Sequence, residues 1–144
     1  MKQRIKRLDK NKPSRSLTKI IIIKVLPVIA FLVAGFLLVP YGSMYFQNNK
    51  VNMIHTKNEA VLFYNANCPH CQKIYPKIFW RNVLNFKNES KKIQTINVQN
   101  ANNKHYLAEF AIQATPTFMK TANTNQRLVS TNSQRINHFI KGGH

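Results

Sequence analysis

The chain has 144 residues with a formal net charge of +18, because 22 Lys and Arg face only 4 Asp and Glu, and it contains 2 cysteines. This length allows one compact domain with appendages, and two cysteines exclude both a disulfide-dense mini-protein and a zinc site of four thiolates. The charge is split between a basic block at residues 1–24 and a diffuse excess over residues 47–144, so no single patch predicts a nucleic-acid partner.

An apolar run follows the basic block, and residues 25–46 contain no charged side chain. As a helix these residues rise roughly 33 Å, which is about the hydrocarbon thickness of a bilayer. The pattern predicts a basic cytoplasmic segment at 1–19 and a transmembrane helix at 20–46, with the remainder outside the cytoplasm under the positive-inside rule. A cleaved signal peptide is the alternative; the run is long for one, and no A-x-A-like cleavage site follows it.

The outer part is predicted to consist of a linker or shortened first strand at 47–58 and one domain at 59–144. Hydrophobic patterning over the domain predicts strand, helix, strand, helix, hairpin and helix. The predicted elements are strands at 60–65, 93–98, 117–120 and 127–131, and helices at 69–88, 103–112 and 132–141. This order predicts an α/β fold with a mixed sheet and helices on both faces.

Both cysteines lie in the sequence Cys68-Pro69-His70-Cys71, between the first predicted strand and the helix that follows it. Proline at the first helical position places Cys68 at the helix N-terminus, where free N–H groups and the helix dipole stabilise a thiolate. A protonated His70 would add positive charge. We therefore expect Cys68 to be the exposed, acidic thiol and Cys71 the shielded thiol that pairs with it, with Pro69 and His70 tuning the pKa of Cys68.

A zinc site is the competing interpretation of the two cysteines. It needs four ligands, and because the chain has no second C-x-x-C, two histidines would have to complete it. The histidines outside the motif are His55, His105, His138 and His144. We favour a redox pair without a bound metal.

Residues 59–144 resemble the thioredoxin superfamily in three features. These are the C-x-x-C at a strand-to-helix junction, Pro76 five residues after Cys71, and the segment Ala114–Phe118, which is similar to the family's cis-proline segment. The resemblance implies a thioredoxin-like fold, a redox-active disulfide between Cys68 and Cys71 with no cofactor, and substrate binding by the backbone of Thr115 and Pro116. The Pro-His dipeptide is typical of the oxidising, DsbA-like branch, and the anchored layout resembles thioredoxin-like accessory proteins of bacteriocin export.

The chain departs from the thioredoxin pattern at several positions. Leu62 stands where thioredoxins have a buried acid, and Asn67 replaces the tryptophan that often precedes the first cysteine. The short distance between the apolar run and the first strand means that the family's first strand and helix are shortened or missing.

Together these features predict a membrane-anchored, extracytoplasmic thiol–disulfide oxidoreductase, with oxidation favoured over reduction. The expected partners are an exported cysteine-containing peptide or protein, a redox recycling partner and the membrane. The scattered Lys and Arg are interpreted as solvated surface, with weak attachment to anionic envelope polymers or lipid as the alternative. The rival function is a non-catalytic or chaperone-like module of an export or conjugation apparatus.

Overall fold

The computed structural model of the chain describes Lys19 and residues 21–47, 50–51 and 53–142. The predicted basic segment, apart from Lys19, lies outside the described residues. The chain divides into two compact units, Met1–Leu38 and Val39–His144.

A long apolar helix crosses the boundary between these units. One π-helical turn at Ile21–Val25 leads into helix α1, Leu26–Phe46. The most apolar 18-residue window of the helix Ile22–Phe46 has a mean hydropathy of 2.7, and within the described residues this is the one helix long and apolar enough to cross a membrane. The helix fits a single-pass anchor, and a signal sequence near the N-terminus would meet the same criteria of length and hydropathy.

The second unit contains a four-stranded mixed sheet. Its elements are β1 Ala60–Tyr64, α2 Pro69–Leu84, β2 Ile93–Asn97, α3 His105–Glu109, β3 Thr117–Lys120, β4 Arg127–Val129 and α4 Ser133–Ile140, with 3₁₀ turns at Glu89–Lys91 and Ala101–Asn103. The strand order is β2-β1-β3-β4. Strands β1 and β2 are parallel, whereas β3 is antiparallel to both β1 and β4. The predicted mixed α/β sheet is confirmed.

Strand β1 lies at the centre of the domain and is buried along its whole length. Because successive side chains point to opposite faces of a sheet, β1 contributes to two cores. Leu62 and Tyr64 pack in the cluster that contains the buried residues of α2 and α4. Phe63 packs in the other cluster, with Tyr106 of α3. The predicted helices on both faces are confirmed.

Helix α3 is shorter than the helix predicted at 103–112. It ends at Glu109, and Ala111 adopts a left-handed conformation with φ of 44°. The N–H of Ile112 then donates to the carbonyl of Leu107 at 2.8 Å, which is the arrangement of a Schellman-type helix end. Burial of Ile112 against the core accompanies this early termination.

The outer edge of β2 is covered by the segment that follows α1. The side chain of Gln47 donates to the carbonyl of Thr95 at 3.1 Å. The side chain of Gln94 donates to the carbonyl of Met53 at 3.1 Å and accepts from the N–H of His55 at 2.8 Å. Residues 50–51 and 53–59 form no strand. The segment is therefore held to β2 by the side-chain amides of Gln47 and Gln94, and not by the backbone pairing of a further strand.

Candidate active site

Cys68 stands at the N-cap of α2, where strand β1 has ended and the chain has turned. Asn65 closes the turn by accepting the N–H of Asn67 on its side chain at 2.8 Å and the N–H of Cys68 on its carbonyl at 3.1 Å. Cys68 is extended, with φ of −84° and ψ of 121°, and Pro69 begins the helix. The missing N–H of proline costs nothing at this position because the first helical N–H groups have no partner within the helix.

The electrostatics of this position favour the thiolate of Cys68. Partial burial of the sulfur opposes ionisation, but hydrogen bonds from the backbone and side chain of Cys71, the side chain of Thr115 and the backbone of His70 together lower the pKa of Cys68. The imidazole of His70 is exposed. Cys71 contributes most to the lowered pKa of Cys68, and the contribution of His70 comes from its backbone N–H.

Cys71 has the opposite environment. It is fully buried in the core between β1 and α2, and burial raises the pKa of its thiol to about 11. Both cysteines are free thiols in this structure. The pair thus combines one partly exposed, acidified thiol with one buried thiol that stays protonated at neutral pH.

The residues before β3 face the cysteine pair. The thiol of Cys68 donates to the carbonyl of Thr115 with a sulfur–oxygen distance of 3.5 Å. The Thr115–Pro116 peptide bond is cis, and Pro116 is buried. The hydroxyl of Thr117 donates to the carbonyl of Ala114 at 2.6 Å, which braces this turn. The structure therefore brings Cys68, Cys71 and the Thr115–Pro116 backbone together.

No group of three His, Cys, Asp or Glu residues in the described part of the chain is arranged to hold a metal ion. His144, one of the histidines considered as a zinc ligand, lies outside the described residues.

Comparison with known proteins decides the family. The family model described as Thioredoxin matches residues 44–142, which is more than half of the chain. The chain belongs to the thioredoxin family. The X-ray structure of Fasciola hepatica thioredoxin is similar, with 20% sequence identity, a TM-score of 0.47, and coverage of 61% of this chain and 85% of that one. No curated protein matches the sequence. Membership indicates a function of the thiol–disulfide oxidoreductase kind.

The match begins inside α1, and the last turns of α1 are indeed part of the thioredoxin-family domain. Pro40 and Met44 are buried, and Met44 packs in the same core cluster as Cys71. Tyr45 also reaches the active-site helix, because the side-chain amide of Gln72 donates to the hydroxyl of Tyr45 at 2.9 Å and to the carbonyl of Ala66 at 3.0 Å.

A group of polar side chains, which we call the tyrosine cluster, lies between the end of α1, β1, α2 and β2. Its members are Ser43, Gln47, Tyr64, Tyr75 and Thr95. The side-chain oxygen of Gln47 accepts hydrogen bonds from three hydroxyls of this cluster, and burial raises the pKa of Tyr64 above its ordinary range. The rings of Tyr64 and Tyr75 lie 4.7 Å apart.

The tyrosine cluster was missed by the sequence analysis. Leu62 occupies the position of the family's buried acid and is itself completely buried. Tyr64, two residues further along the same face of β1, packs in the core cluster that contains Cys71. The sequence feature that points to this cluster is Gln47, a polar residue directly after the apolar run. A membrane-spanning helix does not require a polar side chain at that position.

Proposed function

We propose that the chain is a membrane-anchored, extracytoplasmic thiol–disulfide oxidoreductase that acts through Cys68 and Cys71 and favours oxidation of its substrates. The observation that carries this proposal is the asymmetry of the pair. Cys68 is partly exposed and its pKa is lowered, whereas Cys71 is buried and its pKa is raised to about 11. An attacking or leaving group on the surface and a shielded resolving thiol are the requirements of disulfide exchange.

In the oxidising direction a substrate thiolate attacks Cys68 in the Cys68–Cys71 disulfide. The sulfur–sulfur bond breaks, Cys71 leaves with the electron pair and takes up a proton, and a mixed disulfide joins Cys68 to the substrate. A second substrate thiolate attacks its partner sulfur, forms the substrate disulfide and releases Cys68 as a thiolate. Two electrons and two protons have left the substrate. The lowered pKa of Cys68 makes it a good leaving group, which favours this direction.

The substrate chain is proposed to lie against Thr115. The carbonyl of Thr115 accepts a hydrogen bond from the Cys68 thiol in the reduced protein. In the Cys68–Cys71 disulfide and in the mixed disulfide Cys68 carries no proton, so this carbonyl is available to a substrate N–H. An open cleft of about 400 Å³ borders Thr115, with Leu107 and Ile112 among its apolar lining and Lys104 among its polar lining. Strand-like pairing with adjacent side-chain contacts is a common mode of peptide recognition.

The proposed location and partners follow from helix α1. A helix that fits a single-pass anchor, preceded by basic residues, supports a domain outside the cytoplasm. There the substrates are exported peptides or proteins with cysteine thiols, and a separate redox partner returns the reduced pair to the disulfide. Thiol–disulfide exchange itself needs no added cofactor.

The test uses the full chain in detergent micelles. The oxidised protein is mixed with a reduced peptide that carries two cysteines, and the peptide disulfide is measured by mass spectrometry. We expect stoichiometric oxidation by the wild type and none by Cys68→Ser. Cys71→Ser, which retains the exposed thiol, should instead accumulate a mixed disulfide with an oxidised peptide, because no resolving thiol releases it.

The direction of electron flow is measured by equilibration with glutathione. A reduction potential near about −120 mV identifies an oxidant, whereas one near about −270 mV identifies a reductant and overturns the preference for oxidation. The rival chaperone-like function makes a different prediction in cells. Full activity of a chain with both Cys68→Ser and Cys71→Ser would show that the domain acts as a binding module.

A further inference from the structure

A groove with aromatic walls lies at the outer edge of β2, on the far side of the sheet order from β4. It has a volume of about 620 Å³, and its apolar lining comes from Phe46, Phe79, Val83 and Phe86. Phe46 is 84% exposed and Phe86 is 65% exposed. Large contiguous apolar surfaces are uncommon on a soluble domain and mark sites of contact with a protein or a membrane.

The position of Phe46 in the chain favours the membrane. Phe46 is the last residue of α1, and Pro40 and Met44 of the same helix are buried in the second unit, so Phe46 follows the apolar span by a few residues along the chain. Residues 22–39 rise about 27 Å as a helix, which is nearly the hydrocarbon thickness of a bilayer. The last turns of α1, and the domain surface that they contact, then lie at the level of the lipid headgroups, where aromatic side chains are enriched.

The charge beside the groove is suited to anionic headgroups. The segment that follows α2 carries Lys87, Lys91 and Lys92, and Lys92 lines the groove. Its one acid, Glu89, is paired with Lys92 at 2.5 Å. Lys87 lies 5.5 Å from the centre of the Phe86 ring, so a cation sits directly above an exposed aromatic side chain. Aromatic groups flanked by lysines are the composition of a surface that binds at a membrane interface.

We propose that this groove docks the domain on the anionic headgroups of the bilayer that holds α1, with Phe46 and Phe86 inserted at the interface. Docking rests on the anchored location given above, but it is independent of the redox chemistry. Docking would place this edge of the domain, rather than the opposite edge at β4, against the lipid.

The test uses brominated lipids, which quench tryptophan fluorescence at short range. Trp80 is the one tryptophan of the chain, so Trp80→Phe provides a background in which a single new tryptophan is introduced into the full-length protein. Three reporters are compared in vesicles that contain anionic brominated phospholipid. Phe86→Trp reports from the groove, Leu37→Trp reports from the apolar span, and Val129→Trp is the matched control on β4, with 57% exposure of the native side chain against 65% for Phe86.

We expect bromine to quench Leu37→Trp and Phe86→Trp and to leave Val129→Trp unchanged. Near-ultraviolet circular dichroism checks that each variant remains folded. Equal quenching at Phe86 and Val129 would overturn the choice of face, and no quenching at Phe86 would overturn docking. A blue-shifted but unquenched Phe86→Trp would indicate a protein in the groove and would also overturn the proposal. No quenching at Leu37 would overturn the anchor and docking with it, while the peptide-oxidation assay still reports on the redox chemistry.

The lysines provide a second measurement. Each lysine near an anionic surface is expected to change the ratio of docked to undocked domain about fivefold. When added to the Phe86→Trp reporter, Lys87→Gln and Lys91→Gln should each reduce its quenching by the brominated lipid at low salt. Arg127→Gln on β4 should leave the quenching unchanged. Fluorescence that does not respond to the two lysines or to the anionic lipid content would contradict the electrostatic part of the proposal.

Discussion

Replacing Gln47 by alanine tests whether the tyrosine cluster holds the end of α1 in the domain. The side-chain oxygen of Gln47 accepts the hydroxyls of Tyr64 at 2.9 Å, Tyr75 at 3.1 Å and Thr95 at 3.1 Å. Its amide nitrogen donates to the carbonyl of Thr95 at 3.1 Å. Alanine removes all four hydrogen bonds at the point where α1, β1, α2 and β2 meet.

The expected loss of stability follows from what each hydroxyl retains. The hydroxyl of Tyr64 keeps its hydrogen bond to the carbonyl of Met44 at 3.2 Å, and the hydroxyl of Tyr75 keeps its hydrogen bond with the hydroxyl of Ser43 at 3.3 Å. The hydroxyl and the carbonyl of Thr95 each lose their hydrogen bond to the Gln47 side chain. Because a hydrogen bond contributes about 1 kcal/mol net and two of the four are partly replaced, we expect the free energy of unfolding to fall by about 2–4 kcal/mol. For a domain of this size, that corresponds to a decrease in Tm of roughly 10–25 °C.

The measurement is urea unfolding of the full chain in micelles, followed by near-ultraviolet circular dichroism. This signal reports aromatic side chains in the domain, whereas far-ultraviolet signals would include α1, which micelles keep helical. Gln47→Met retains the length of the side chain and should lose nearly as much as Gln47→Ala if the hydrogen bonds are responsible. Gln99→Ala, at an exposed position, is the control and should stay within about 0.5 kcal/mol of the wild type. A loss at Gln47 no larger than at Gln99 would refute the reasoning.

Three further predictions concern the cysteine pair and the topology. His70→Pro removes the backbone N–H that helps to lower the pKa of Cys68 and should therefore raise that pKa. His70→Ala keeps the N–H and should leave the pKa of Cys68 nearly unchanged. Thiolate absorbance against pH measures both variants, and a larger effect of alanine would contradict the role of the backbone. In the reduced chain, the rate at which iodoacetamide modifies Cys68 should rise with pH and level off at a pH below the ordinary thiol pKa. Cys71, with a pKa of about 11, should react appreciably only at much higher pH. Peptide mass spectrometry distinguishes the two cysteines, and equal rates would refute the asymmetry. Protease added to intact, wall-stripped cells should digest residues 47–144 and spare the basic N-terminal block, and a fully protected domain would overturn the proposed orientation.

The order of the secondary-structure elements could be predicted because each one carries a local signal. Buried strand β1 is a short apolar run, and the helices show apolar residues at helical spacing. Helix ends depend on backbone geometry that such patterns do not contain. Helix α2 ends at Leu84, four residues before the predicted end. Asn85 leaves helical geometry, with φ of −105° and ψ of 27°, and its side-chain amide donates to the carbonyl of Arg81 at 2.8 Å. The N–H of Phe86 then donates to the carbonyl of Val83, three residues back, at 3.3 Å.

The redox motif was also predictable from sequence, since Cys68 and Cys71 are close along the chain and the start of a helix determines their environments. The contribution of α1 to the domain was not. Met44 lies in an apolar run, and an apolar side chain in such a run is compatible with lipid contact and with burial in a protein core. Only the three-dimensional structure distinguishes the two, and it places Met44 in the core with no exposed surface. For the same reason Gln47 could not be identified as the partner of two tyrosines that follow it by 17 and 28 residues.

The free energies expected for these contacts indicate that the end of α1 is a structural part of the thioredoxin-family domain. Removing a large side chain such as that of Met44 from a core costs about 2–5 kcal/mol, and the hydrogen bonds of Gln47 add about 2–4 kcal/mol. Together they are comparable with the whole stability of a typical domain, which is about 5–15 kcal/mol. We therefore expect a domain that begins at residue 59 to be less stable than the full chain, because it lacks Met44, which packs in the same core cluster as Cys71.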